Sequence, residues 1–296
     1  MKMLQRRNGE FSVLSLIFLL CFLTLTAISG CTTPQPREFP AFRQGIVTAN
    51  QQTNAAFLDI NEMLREQQLD RAAQQATLNE DAFAEGLPAD SRAKWMRAFR
   101  LMEEYAWGLE ELTSSEQREG VEDELRKLGE KFNDTREEPL PEGVTAGFVK
   151  LGGLLIKIKA EQDALEIMRE VNPAIQDIFA TMADAIGSDE KEGIRLTVWS
   201  AWTTQLGKLQ LAFLKADNPS SKRKIAEKFL NMLGERDAHD QLLNSLRISF
   251  LSLGRAHQEM AQGNPLNASA FIAIVQDEYR GFREEMKRLR EKREGS

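Results

Sequence analysis

The chain has 296 residues, of which 42% are hydrophobic and 28% charged, and a net charge of −7. That balance excludes a disordered chain and leaves room for one or two hydrophobic cores. Aromatics make up only 7% and β-branched residues seldom alternate with polar ones, which excludes a sheet protein and leaves an all-α fold. The acidity also disfavours nucleic acid as a partner, because binding a polyanion depends on neutralising it with Lys and Arg.

The first element is a short basic segment, Met1 to Arg7, followed by an apolar run from Phe11 to Ile28 and then small residues. This is the layout of an export signal. Its last four residues, Ile28-Ser29-Gly30-Cys31, resemble the lipobox of bacterial lipoproteins: an aliphatic residue, two small ones, then cysteine. The resemblance implies cleavage before Cys31, a diacylglyceryl group on its thiol and commonly an acyl group on its new amine. Two or three acyl chains hold a protein on a membrane without any spanning helix. The alternative is an uncleaved N-terminal transmembrane helix, since the apolar run approaches spanning length.

Thr32 stands where the lipoprotein family's inner-membrane retention signal is an aspartate, which points to the outer membrane if the source is Gram-negative. A Gram-positive surface remains the other case. Loss of residues 1–30 removes Lys2, Arg6, Arg7 and Glu10, taking the net charge from −7 to −9. Cys21 leaves with the signal and Cys31 is consumed by lipid, so no thiol remains for a disulfide, a metal or catalysis.

From Cys31 to residue 41, Pro34, Pro36 and Pro40 predict an extended tether, and residues 42–296 a helical bundle domain with a sub-boundary at 133–143. Ile46, Thr53, Phe57, Ile60 and Leu64 set the stripe of a first helix over about Phe42 to Leu78, whose many amides, Gln51, Gln52, Gln67 and Gln68 among them, read as a solvated face. Trp95, Phe99, Met102, Ala106, Leu109 and Leu112 mark a second helix. Ser114 and Gln117 form a capping box before a third, with Val121, Leu125, Leu128 and Phe132.

After a Pro-rich break, a pattern from Leu155 to Ile186 predicts a helix kinked or divided at Pro173. Ile194, Val198, Trp202, Leu206, Leu209 and Phe213 carry the next. Asn218-Pro219 opens a helix of about 44 residues, or about 66 Å, and Ile272 to Leu289 gives the last. The fold expected is an elongated bundle of about six or seven antiparallel, partly very long amphipathic helices.

Residues able to do chemistry are few. His239 and His257 are the only histidines, five turns apart on one helix, so they cannot share a metal; His239 reads as a surface residue paired with Glu235. The doublets Glu103-Glu104, Glu110-Glu111 and Glu137-Glu138 point in different directions on a helix and do not converge on a bond. No nucleophile elbow and no phosphate-binding loop occurs. Gly147, Gly152 and Gly153 suit close helix packing. Arg280, Glu284, Arg288 and Lys292 read as a mixed-charge face with i,i+4 pairs.

Trp199 and Trp202 are core residues in the first reading and candidates for lining a ligand groove in the second. No cofactor, metal site or catalytic set is expected. The leading expectation is a nonenzymatic, membrane-anchored scaffold or adaptor facing the periplasm, with an envelope protein as partner. The second is a binding module for a small apolar or amphiphilic ligand; the third is an enzyme whose site is assembled from dispersed residues.

Overall fold

The computed structural model describes residues 38–76, 78, 80–83, 89–113, 118–134, 141, 143–159 and 162–294. Cys31 with its lipobox, the proline tether through residue 37, the Ser114/Gln117 box and Glu137-Glu138 lie outside them. Eight α-helices and one short 3-10 turn, Glu80–Phe83, account for the described chain, and no strand occurs among the described residues. The fold is all-α, as composition and periodicity require.

The first helix, α1, spans Glu38–Gln75. It begins earlier than expected because Pro40 fits a first turn, where its missing N–H has no intrahelical acceptor anyway, and because Phe39 and Phe42 both bury there. Its amide face is not uniformly solvated: Gln52 and Gln67 are buried, and Gln52 accepts a hydrogen bond from Ser249 at 3.1 Å. Helices α2 (Ala89–Leu112) and α3 (Arg118–Asp134) bury the stripes read from their sequences, from Trp95 to Leu112 and from Val121 to Phe132.

The stretch expected to continue from Leu155 into Ile186 is two helices, α4 (Val144–Leu155) and α5 (Ala164–Ile186). The division falls before α5, where Asp163 and Glu166 form a reciprocal capping box that starts a new helix. Pro173 lies inside α5 and does not end it. Helix α6 is Gly193–Lys215, α7 is Pro219–Ala261 and α8 is Pro265–Glu294. The Asn218 side chain caps α7 by accepting from Ser221 N, with Pro219 in the first turn.

Successive helices run up and down, and contacts fix the direction of each pair. Arg43 meets Glu110 and Phe57 meets Trp95 between α1 and α2. Lys131 meets Glu104 between α2 and α3, and Lys150 meets Asp177 between α4 and α5. Between α3 and α4 the backbones touch: a methyl group at Gly152 would stand 2.5 Å from Gly129 O, so glycine is needed at that crossing. Helix α7 is the spine, packed on α1, α5, α6 and α8. Against α5 it pairs Ala261 with Arg169, His257 with Asn172 and Gly254 with Gln176.

Candidate functional site

Both histidines are buried, His239 at 1% and His257 at 0% exposure, which corrects the surface reading of His239. On α7 they point into the bundle because the apolar stripe of that helix, Leu243, Leu246, Phe250 and Leu253, lies on the same side. Each finds a different polar partner set there, as burial of an imidazole demands.

His257 joins four helices. Tyr105 on α2 donates its hydroxyl to His257 Nε2 at 2.8 Å, and His257 Nδ1 donates to Asn172 Oδ1 on α5 at 2.9 Å. The Phe42 ring of α1 closes the fourth side, its centroid 5.7 Å away. Gln176 Nε2 in turn donates to Asn172 Oδ1 and to Gly254 O. Full burial pushes the imidazole down to about 3 and the Tyr105 phenol well above its ordinary value. Every partner is thereby that of a neutral ring, and the cluster is a satisfied structural network.

His239 sits five turns before His257 on α7. Its Nδ1 donates to Glu235 O at 2.7 Å, so Glu235 contributes its backbone and not its carboxylate. Its Nε2 stands 3.1 Å from Asp59 Oδ2 on α1, outside hydrogen-bond alignment. The Trp202 ring covers the imidazole, with 5.5 Å between centroids. At the next residue of α7, Arg195 of α6 forks onto both carboxylate oxygens of Asp240 at 2.8 Å and also donates to Ser188 O. These contacts lock the base of the α6–α7 hairpin to α1.

Trp202 is therefore core, 3% exposed, while Trp199 is half-buried with the Arg236 guanidinium 4.1 Å above its ring. A groove of about 840 Å³ lies elsewhere, between α1 and α8, with Gln51, Tyr279, Arg280, Arg283, Lys287 and Arg290 in its walls. Pairing on α8 runs mostly one residue tighter than expected: Arg280 meets Asp277 and Arg288 meets Glu285, whereas Lys287 meets Glu291 at i,i+4.

The largest departure from a closed bundle is at the far end of the α6–α7 hairpin. Arg195 with Asp240, Trp199 with Arg236 and Phe213 with Lys222 hold one antiparallel register from base to tip. Yet from Gly207 to Asp237 no residue is buried. Leu211, Leu214 and Leu230 are 59%, 75% and 66% exposed. Leu209 and Phe213, expected in a core stripe, are half-buried and exposed, and Phe229 and Leu233 are half-buried, because here the two helices have mainly each other to pack on.

Glu104 and Glu110, members of the carboxylate doublets, face Lys131 and Arg43 across helix boundaries. Among the described residues no group of three His, Cys, Asp or Glu comes together, and no described helix is long and apolar enough to cross a membrane. No family model, curated protein or solved structure matches the chain, so its family is left open.

Proposed function

We propose that the chain is a membrane-anchored, nonenzymatic scaffold or adaptor of the cell envelope, held by lipid at Cys31 and facing the periplasm from the outer membrane if the source is Gram-negative. The observation that carries this reading is the α6–α7 arm, whose leucines are exposed over a segment with no buried residue. Exposed apolar side chains gathered on one projecting element favour association with another molecule. The polar clusters, by contrast, are buried among helices and spend their hydrogen bonds on one another.

Two measurements test the two halves. Metabolic labelling with palmitate should mark the wild-type chain and fail with Cys31→Ala, which should also leave the membrane fraction; soluble, unlabelled wild-type protein sinks the anchor. Crosslinking of intact envelopes should recover one reproducible protein partner, and its absence together with an unaltered envelope in a deletion strain sinks the adaptor.

A second reading, a binding module for an amphiphilic ligand, is favoured by the α1/α8 groove, where cations flank the Tyr279 ring. Its test is co-purification of a small molecule by native mass spectrometry, lost with Arg283→Glu; a chain that carries nothing sinks it.

A further inference from the structure

We propose that the outer face of α6 is the seat of an acidic amphipathic helix supplied by a protein partner. Thr197, Ser200, Thr204, Gly207, Leu211 and Leu214 follow one another at alternate spacings of three and four and so line one seam of the helix, small side chains first and leucines toward the tip. All are exposed except Gly207, which is half-exposed and around which a methyl group would meet nothing within 4 Å. The opposite face of the same helix, Val198, Trp202 and Leu206, is the one that packs on the body. Helix α6 is thus built with two contact faces, and one of them is uncovered.

The charge on the arm states what kind of partner fits. Residues 207–237 hold seven Lys and Arg against four Asp and Glu, in a chain whose total is −7. Helix α6 itself has no acidic residue. Lys208 and Lys215 stand one heptad apart along one edge of the seam, the position at which coiled coils select partners by opposite charge. A second copy of the arm would bring like charges together, so self-pairing is disfavoured. The small side chains in the middle of the seam form a trough that admits the ridge of a helix, whereas a face that lies on lipid carries bulky apolar residues along its length. The partner is therefore a helix with leucine-type residues on one stripe and glutamates or aspartates beside it.

This inference rests on the adaptor reading and is tested on the full lipidated chain in its own cells. A photoreactive amino acid is placed at Thr204, at Leu211 and, as a separate position in the α1/α8 groove, at Gln276. The expected result is an adduct from Thr204 and Leu211 that maps to a heptad-patterned acidic helix of one protein. Its yield should fall about tenfold or more in Lys208→Glu/Lys215→Glu and return when glutamates of that helix are changed to lysine. An adduct of lipid mass, an adduct with a second copy of this chain, or yields indifferent to the charge reversal would each overturn it. Protein adducts from Gln276 alone would overturn the seat and leave the adaptor; no protein adduct from any position would overturn both.

Discussion

Tyr105 donates a hydrogen bond from its hydroxyl to His257 Nε2 at 2.8 Å inside a bundle that leaves neither side chain in contact with water. The imidazole is neutral in the folded chain, held down to about 3 by burial, while in the unfolded chain it titrates near 6.5. Between those values the unfolded state binds the extra proton, so stability rises with pH and is lost as pH falls from about 6.5 toward 3. This histidine alone gives a slope approaching about 1.4 kcal/mol per pH unit in that window. Denaturant unfolding of wild type and His257→Gln from pH 7 to pH 4 should show a shallower acid loss in the variant. Parallel curves would mean that His257 does not carry the dependence.

Asp59 and His239 face one another as buried polar side chains. Removing one leaves a polar group of the other facing apolar surroundings, and Asp59→Ala is expected to cost about 1–3 kcal/mol. Replacing both, as Asp59→Leu/His239→Leu, should recover most of that loss, since swapping both members of a buried polar pair for apolar groups can be nearly neutral. A double variant as unstable as the single one would contradict the account.

At the base of the arm, Arg195 donates to both oxygens of Asp240 and to Ser188 O with its side chain only 8% exposed. Lysine keeps the charge but not the fork. Arg195→Lys should therefore cost about 1.5–3 kcal/mol, the range for hydrogen bonds to charged groups. Hydrogen exchange should show the loss locally, with faster exchange across 207–237 and little change in α2 or α3. Uniform acceleration would place the effect in the whole bundle.

The crossing of α3 and α4 gives a paired test on neighbouring residues. Gly152→Ala presses a methyl against Gly129 O and the Phe132 side chain and should lower the melting temperature. Gly153→Ala meets nothing within 4 Å and gains helix propensity, so it should stabilise by about 0.5–1 kcal/mol. Equal effects from the two substitutions would refute the close approach.

The helices and their core stripes were legible in sequence because a 3.6-residue apolar period is written directly into α2, α3 and α8. The two histidines were not. Whether His239 and His257 lie inside depends on Asp59, Tyr105 and Asn172, which reach them from other helices at sequence separations no local pattern encodes. The arm was hidden for the converse reason. Phe213, Phe229 and Leu233 have the periodicity of core residues, and only the arrangement of the remaining helices shows how little covers them. Trp199 and Trp202 were legible as an aromatic pair, but their covers, Arg236 and His239, come from the facing helix.

Helix α7 sets a distance. Its C-terminal turns lie beside Phe42, in the first turns of α1, and its N-terminus forms the tip of the arm, so the rise from Pro219 to His257 separates the two by about 57 Å. If Cys31 carries the proposed lipid, α7 works as the rod of a fishing pole: it sets how far the basic, leucine-bearing tip stands from the first turns of α1, and each heptad added to both α6 and α7 would lengthen the cast by about 10 Å.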